Sequence, residues 1–235
     1  MPVKSETQQA LAALHRLRST WLATRTARIN TVRGLLREFG VVVPVGAHHL
    51  VPRLTAIVED ADSGIPALLR FALAEGAREI REIEQRLRAV DRQLEAVAAE
   101  TLPVQQLQSI PGIGVVTATA LLASIGDVQR FPSGRHFASY LGLTPRERSS
   151  GLRRRLGAIS KRGDAYLRML LIHGARAVLW RAKKMTAHDR LRTWALQLER
   201  HRGHNKATVA LANKLARIAW AVWREGRQFT EVPAA

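Results

Sequence analysis

The sequence predicts an all-α protein, and three observations lead to that prediction. Long stretches without proline carry apolar residues at helical spacing, no segment shows sustained strand alternation, and hydrophobic residues make up 46% of the 235 residues. This composition is typical of a globular chain with a buried core. The absence of cysteine excludes disulfides, thiolate metal sites and thiol nucleophiles. With no apolar run of membrane-spanning length and no signal-peptide core, we expect a soluble, cytoplasmic protein without a membrane partner.

Two long helices are expected in the first half of the chain. The first runs from Lys4 to Phe39 with Gly40 as its stop, and the second from about residue 65 to 99. The segment between them contains two prolines and is predicted to be an irregular connector.

Both helices carry apolar residues on a heptad grid. In the second helix these are Leu73, Ile80, Ile83, Leu87, Val90, Leu94 and Val97. In the first they are Leu22, Ile29, Val32, Leu36 and Phe39. The pattern predicts an antiparallel coiled-coil hairpin, but the same seam could instead pair two chains into a homo-oligomer.

The chain is predicted to divide into an assembly region, 1–102, and a C-terminal domain, 103–235. Thr101 to Leu107 looks like a linker, and Pro103 marks the boundary. Helices in the second region are expected at 115–125, 134–141, 164–183, 187–201 and 205–225. Asp164 and Asn205 are the expected N-caps, and Gly226 is the expected stop. The basic stretch 143–163 is expected to be irregular, with 152–160 able to form a short hairpin arm. Four tryptophans are predicted to pack in the core rather than stack on bases, namely Trp180, Trp194, Trp220 and Trp223.

The positive charge of the chain is large and unevenly distributed. The 37 Lys and Arg against 19 Asp and Glu give a net charge of +18. Residues 1–100 hold 14 basic and 12 acidic side chains, a net of +2, whereas residues 101–235 hold 23 and 7, a net of +16. Such an excess predicts a polyanionic partner, and we place the nucleic-acid contact in the second half.

A proline–glycine turn followed by a helix is the first segment that suggests a chemical role. It reads Ile110-Pro-Gly-Ile-Gly114 and leads into an Ala-rich apolar helix. Gly112 and Gly114 permit a tight turn, and the helix N-terminus offers unpaired N–H groups and a positive dipole end to an anion. The pattern indicates a helix-hairpin-helix motif that grips a nucleic-acid backbone without reading bases. A glycine turn between two packed helices is the alternative interpretation.

A basic loop with two serines is the densest functional signal. Between residues 146 and 162, seven Arg or Lys side chains accompany a single acid, Glu147, and Ser149-Ser150-Gly151 lies among them. Arginines can neutralise a phosphodiester through bidentate contacts to its non-bridging oxygens. A serine hydroxyl needs a base to become a good nucleophile, and no general base is evident nearby. Taken alone, the residues indicate either a phosphate-gripping loop or a catalytic one.

Four motifs, in this order, resemble those of a known family. They are IPGIGVVTATALLASIGDVQRF, FASYLGLTPRERSSG, GAISKRGDAYLRMLLIHGARA and NKATVALANKLARIAWAVW. The series resembles the C-terminal transposase domain of the DEDD/serine insertion-sequence transposases, the "one-ten" family of bridge-RNA-guided recombinases. Residues 8–40 resemble the coiled-coil region of the same family. The resemblance implies a long coiled-coil helical hairpin followed by a helical transposase domain with a helix-hairpin-helix motif.

The resemblance also implies which residues form the site. In the family, the serine directly before the glycine of this loop attacks a phosphodiester and forms a covalent phosphoserine–DNA intermediate. That serine matches Ser150, with Ser149 as the second candidate. Asn205 and Lys206 match the last motif, where a structural role and a DNA contact are both open. The residues expected to bind nucleic acid are Gly112, Gly114, Arg146, Arg148, Arg153, Arg154, Arg155, Lys161, Arg162 and Arg168.

Complete family members begin with a nuclease-like domain bearing four metal-binding carboxylates, and no such domain is recognisable here. We therefore expect no metal site and no cofactor in this polypeptide, since a divalent metal such as Mg²⁺ would belong to that domain. The expected partners are DNA, a guide RNA, further copies of the chain, and a full-length transposase or a separate nuclease-like subunit. Two functions lead: a DNA transposase/recombinase fragment that supplies a serine nucleophile, or a non-catalytic, dimerising nucleic-acid-binding protein or transposition inhibitor. A structural RNA-binding protein of the ribosomal kind also fits the charge but ranks last, because it has no use for the Ser-Ser-Gly context.

Overall fold

The computed structural model of the protein describes residues 4–44, 46–60, 64–151, 153–186 and 189–230. The helices in these residues are α1 (Glu6–Glu38), α2 (Ala47–Glu59), α3 (Ala67–Glu100), α4 (Leu102–Gln108), α5 (Val115–Ile125), α6 (Gly134–Tyr140), α7 (Ala165–Ala182), α8 (Arg190–Arg202) and α9 (His204–Glu225). Two short strands, β1 (Pro145–Glu147) and β2 (Leu156–Ile159), form one antiparallel pair. The predicted helical class is confirmed, with this small sheet as an addition. None of the helices described is long and apolar enough to cross a membrane.

The chain forms two compact units. The helical-hairpin unit comprises residues 13–93, and the C-terminal unit comprises residues 1–12 and 94–235. The division into an assembly region, 1–102, and a C-terminal domain, 103–235, stays a prediction.

In the helical-hairpin unit, α1 and α3 run antiparallel. Three ion pairs join them, and the paired residue numbers rise along α1 as they fall along α3. The pairs are Arg18 Nε to Asp91 Oδ1 at 2.6 Å, Arg25 Nε to Glu84 Oε1 at 2.8 Å, and Arg28 Nε to Glu79 Oε1 at 2.7 Å. Partly exposed pairs of this kind contribute little stability, so they report the register of the helices more than they hold it.

The heptad grid is buried along α3 from Leu73 to Leu94, with Val97 half-buried, and is buried only in part along α1. Leu73 and Ile80 of α3 are fully buried, and Leu36 of α1 packs in the same core. Leu22 and Phe39 are exposed, so neither is buried in a seam between α1 and α3, and a place for them in a seam between two chains stays a prediction. Leu22 lies at the level where arginines of α1 reach across to α3. Phe39 follows the last residue of α1, so the helical spacing no longer sets the direction of its side chain.

The connector predicted to be irregular contains helix α2, so that prediction is wrong. Pro52 lies inside the helix, where it removes one hydrogen bond at a cost of about 3 kcal/mol. Leu50, Leu54 and Ile57 are buried against residues of α1 and α3. Burial of three such side chains contributes roughly 5–9 kcal/mol. The free energy gained by packing therefore exceeds the cost of the proline. The periodicity of the sequence does not reveal this, because the packing partners lie in other helices.

The stretch predicted to be a linker, 101–107, is helical from Leu102 onward, so that prediction is wrong for all but Thr101. Pro103 lies in the first turn of α4, where a backbone N–H has no partner within the helix. Val104 and Leu107 are fully buried in the core of the C-terminal unit. The break between α3 and α4 is the single residue Thr101, and Pro103 belongs to the helix that follows it.

Helix α9 is the centre of the C-terminal unit. It packs against α4, α6, α7 and α8, and its buried stripe includes Leu211 and Leu215. The Asp164 side chain accepts hydrogen bonds from two backbone amides of α7, and the chain turns at Gly226 with φ +65°, as predicted. The prediction of Asn205 as an N-cap is wrong, because Gly203 takes that position and Asn205 lies within the first turn.

Candidate nucleic-acid interface and serine arm

The basic serine loop folds as a β-hairpin that we call the serine arm, residues 143–162. Pro145 lies opposite Ile159, and Glu147 lies opposite Leu156. A hairpin arm was predicted, but its first strand begins earlier than the residues expected to form it. Every described residue from Pro145 to Ala158 is exposed. Because neither face of the hairpin is buried, its strands lack the apolar alternation that would reveal them in the sequence.

Two glycines close the base of the arm. Gly142 and Gly163 both have positive φ, +70° and +80°. A β-carbon on Gly142 would lie 2.0 Å from the Arg162 carbonyl oxygen, and one on Gly163 would lie 1.9 Å from the Tyr140 oxygen. The amide of Ser160 donates to the Thr144 oxygen at 2.8 Å. At the base, the backbones of the two ends of the arm are therefore in direct contact, so close together that a side chain larger than that of glycine does not fit.

Arg168 anchors this base. Its Nη1 donates to the carbonyl oxygens of Leu141 and Arg162, each at 3.2 Å. The side-chain amide of Asn213 on α9 donates from Nδ2 to the Leu143 carbonyl oxygen at 3.1 Å. Arg168 was predicted to bind nucleic acid, and the structure gives its guanidinium a structural task at the foot of the arm. Asn213 was missed, because nothing local in the sequence connects it to a loop 70 residues earlier.

The two serines at the tip of the arm differ in the hydrogen bonds of their hydroxyl groups. Ser149 Oγ donates to Glu147 Oε1 at 2.7 Å and accepts from the Arg155 amide at 3.1 Å. The backbones of Ser150 and Arg153 exchange hydrogen bonds across the turn, at 3.2 and 3.1 Å. Ser150 is exposed, and no described residue hydrogen-bonds its hydroxyl. The Ser149 hydroxyl thus holds the tip together, and the Ser150 hydroxyl is presented to solvent.

The arm gathers the other predicted cations into one exposed structure. All seven are exposed: Arg146, Arg148, Arg153, Arg154, Arg155, Lys161 and Arg162. Arg146 Nη2 donates to the Ser160 oxygen at 3.2 Å, and Arg154 Nε lies 3.5 Å from the Glu147 carboxylate. One carboxylate cannot neutralise seven cations, so the arm offers a dense positive field around Ser150.

The proline–glycine turn joins α4 to α5, and its two glycines have different surroundings. Gly112 has φ +85°, and a β-carbon there would lie 2.8 Å from the Gly174 oxygen of α7. Gly114 is exposed, with no atom within 4 Å of such a β-carbon, and no side chain caps the amides of α5 behind it. Packing explains Gly112, as the alternative interpretation proposed. Gly114 and the start of α5 remain open to an anion.

The turn and the arm lie at separate places along α7. The turn contacts Gly174, and the base of the arm is held by Arg168, six residues earlier. Six helical residues correspond to roughly 9 Å along the axis. The structure thus brings the arm residues together and sets the glycine turn apart from them.

A groove that sequence reasoning missed lies between β2 and helices α8 and α9. Its volume is about 940 Å³, and Leu143, Ile159 and Val209 give it an apolar lining. Polar and cationic lining residues come from one stripe of α9 or lie beside it: Asn205, Lys206, Asn213, Lys214 and Arg217. Their helical spacing was the available signal, although only Asn205 and Lys206 were singled out from the sequence.

Lys214 is a partly buried cation that lines the groove. Burial, and then the nearby Arg217 and Arg190, lower the pKa of Lys214, which Asp189 partly offsets. Its Nζ lies 4.2 Å from the centre of the Trp194 ring, a cation–π contact that favours the charged form. The groove therefore holds a positive charge that is only partly hydrated.

The tryptophan prediction is right for three residues and wrong for one. Trp194, Trp220 and Trp223 are half-buried against the core, and Trp220 Nε1 donates to the Phe131 oxygen at 3.1 Å. Trp180 is 62% exposed. It lies on the side of α7 opposite the buried Leu171 and Val178, so its apolar neighbours in the sequence do not cover it.

The described residues do not fit a divalent-metal site. No group of three or more His, Asp or Glu side chains among them is arranged to hold a metal ion. His204 Nδ1 instead lies 2.6 Å from the Glu199 carboxylate, which Lys183 also contacts at 2.8 Å.

Comparison with known proteins places these features in one family. The profile of the "Transposase IS116/IS110/IS902 family" matches residues 104–191, a range that contains the glycine turn and the serine arm. A Pseudomonas aeruginosa protein named "Probable family 20 transposase" is 44% identical over 224 residues, covering 94% of this chain and 65% of the relative.

Two further relatives carry names of the same kind. The "Transposase for insertion sequence element IS1111A" of Coxiella burnetii is 39% identical, over 93% of this chain and 60% of the relative. The "Transposase for insertion sequence element IS1328" of Yersinia enterocolitica is 36% identical, over 97% and 67%. The chain spans about two thirds of the length of these relatives.

Proposed function

This chain belongs to the IS116/IS110/IS902 family of transposases, and from that premise we propose that it is the nucleic-acid-binding part of a DNA transposase and supplies the serine nucleophile for strand exchange. The observation that carries the proposal is the place of Ser150. Its hydroxyl is exposed at the tip of a cationic arm, while the neighbouring Ser149 hydroxyl is engaged with Glu147.

The proposed reaction exchanges one phosphate ester for another. A bond forms between Ser150 Oγ and a backbone phosphorus, and the bond from that phosphorus to a deoxyribose oxygen breaks. The serine proton leaves to a base, and the departing sugar oxygen takes up a proton as its hydroxyl is released. Because the ester linkage is retained on serine, a second DNA hydroxyl can reverse the step and join a new strand.

For an attack by Ser150, the arm supplies charge neutralisation. A phosphodiester is anionic and gains further charge on its non-bridging oxygens as the nucleophile adds, so cations aimed there lower the barrier. Arg148, Arg153 and Arg155 have no described side-chain partner and lie beside the tip. Arginine suits this task because its planar guanidinium can contact two oxygens at once.

The glycine turn and the two long helices would contribute backbone binding and assembly. Gly114 and the uncapped start of α5 would form the anion-binding end of a helix-hairpin-helix motif that grips DNA or a guide RNA by its backbone. The antiparallel α1 and α3 would form a coiled coil, and copies of the chain would associate through it. Leu17 and Leu22 support this association, because both stay exposed on α1.

The proposal is tested by looking for a covalent protein–DNA adduct. The chain is incubated with labelled DNA of an insertion-element end, together with the part of the Pseudomonas aeruginosa relative that this chain does not match. We expect labelled DNA to migrate with the chain on a denaturing gel. S150A should abolish the adduct, whereas the matched variant S149A should reduce it without abolishing it.

Two outcomes contradict parts of this assignment. An adduct that survives S150A but disappears in S149A would move the nucleophile to Ser149, with Glu147 as its base. Tight DNA binding without an adduct in any mixture would instead favour a non-catalytic nucleic-acid-binding protein.

A further inference from the structure

Trp180 presents a large apolar ring to solvent on helix α7. Its side chain is 62% exposed, whereas the other tryptophans of the C-terminal unit are half-buried against the core. Among the residues that the structure describes, the ring is not packed against the apolar core of the unit. The serine arm does not account for it either, because the arm is anchored near the other end of α7 by Arg168.

Trp180 belongs to a stripe of exposed residues, which we call the α7 stripe. Its members succeed one another at steps of three or four residues and are Met169, His173, Arg176, Trp180 and Lys184. Residues at this spacing share one face of a helix. The buried residues of α7, including Leu171 and Val178, lie on the opposite side. The stripe is therefore a continuous solvent-facing strip, about 20 Å long.

The charged residues of the segment that carries the stripe are all basic. Residues 165–186 contain five Arg or Lys and no Asp or Glu. The Nζ of Lys184 lies 3.8 Å from the centre of the Trp180 ring, and Arg176 precedes Trp180 by one turn. Lys183 is paired with Glu199 at 2.8 Å, whereas Arg176 has no described partner. An exposed aromatic ring between uncompensated cations is suited to an anionic partner that has flat apolar faces.

We propose that the α7 stripe binds single-stranded nucleic acid, with an unpaired base stacked on Trp180 and the adjacent phosphates held by Arg176 and Lys184. Aromatic stacking beside cations is how proteins bind single strands irrespective of sequence. A duplex cannot use the ring in this way, because its bases are already stacked on one another. The inference rests on the proposed function only in that both require nucleic-acid binding.

The test compares single-stranded and duplex oligonucleotides of equal length. Labelled oligo-dT, oligo-rU and a mixed-sequence duplex are titrated with the chain by fluorescence anisotropy. W180A should weaken single-strand binding by roughly 5- to 150-fold, from the usual contribution of one stacked base. Duplex binding should stay within twofold. The two single-stranded ligands show whether the site takes DNA, RNA or both.

Three further variants make the result specific. W180F keeps a ring and should retain most of the affinity. K184Q should weaken binding and lower the salt dependence by about one phosphate contact. Phe71 is the matched control, because it is an equally exposed aromatic, 66%, in the near-neutral half of the chain, and F71A should change nothing. Stacking should also quench Trp180 fluorescence, so the quenching by oligo-dT should decrease in W180F.

The outcomes separate this inference from the proposed function. Single-strand affinity that is equal in wild type and W180A would overturn the stacking site while leaving the arm intact. A W180A variant that changes the sedimentation mass would also overturn it, since the ring would then be a contact between chains. If the wild-type chain binds no oligonucleotide at all, the proposed function itself is wrong.

Discussion

The backbone oxygen of Gly112 lies 2.0 Å from the position that a β-carbon on Gly174 would occupy. Sixty-two residues separate these two glycines in the sequence, and their contact seats the turn between α4 and α5 against the middle of α7. The glycine turn therefore has a packing function of its own, beside any contact that Gly114 makes with an anion.

This contact predicts the effect of adding one methyl group at Gly174. G174A should destabilise the C-terminal unit by about 1–3 kcal/mol or more, because a β-carbon would overlap a backbone oxygen. G34A is the matched control, since Gly34 lies inside α1 with nothing within 4 Å of its β-carbon position. That change should stabilise the chain by about 0.5–1 kcal/mol. Urea unfolding of both variants measures the difference, and equal effects would contradict the close contact.

Arg168 is expected to hold the arm rather than bind nucleic acid directly. R168Q should remove two hydrogen bonds at the base, and the amides of Ser160 and Lys161, which bond across that base, should exchange with solvent faster. R153Q, at the tip, should leave those amides unchanged. Hydrogen exchange resolved by residue is the measurement. Equal protection of the two amides in R168Q and wild type would show that the guanidinium does not anchor the arm.

The arm should dominate the salt dependence of DNA binding. The double variant R148Q/R153Q should weaken binding to all sequences alike and lower the slope of log affinity against log salt by about 0.9 for each phosphate that is no longer neutralised. The double variant R88Q/R92Q removes the same charge from exposed positions on α3 and should leave the slope unchanged. Titrations at several salt concentrations measure both. A similar decrease in the two variants would mean that net charge matters and the arm does not.

His15 should make the stability of the chain fall in mild acid. The side chain is 5% exposed, and burial, with a smaller contribution from the nearby Arg18, lowers its pKa to about 4 from 6.5. The unfolded chain therefore binds a proton that the folded chain does not. The associated stability is complete above about pH 6.5 and is lost progressively as the pH falls toward 4, by at most about 3 kcal/mol.

The variant H15L isolates this contribution. Whatever its stability at pH 8, it should lose less stability than wild type between pH 6.5 and 4. H201L, at an exposed position, should follow the wild-type curve. Thermal unfolding across this range gives the comparison, and parallel curves for H15L and wild type would exclude His15 as the source.

Much of the helical framework was predictable because its signals are local. The limits of α5 and α7 follow from apolar periodicity and from caps such as Asp164, which lie within a few residues of the helix that they start. The cations of the serine arm were identified for the same reason, since all seven lie within 17 consecutive residues. A continuous segment carries its own charge and its own periodicity, whatever packs against it.

Tertiary packing decided the rest. Pro52 lies inside a helix only because Leu50 and Leu54 are buried against two other helices. Trp180 is exposed because α7 turns its other face to the core, and Ser149 differs from Ser150 because only its hydroxyl meets Glu147. Each of these outcomes depends on which surfaces are covered and which side chains meet. That information comes from parts of the chain brought together by folding, and a local pattern does not contain it.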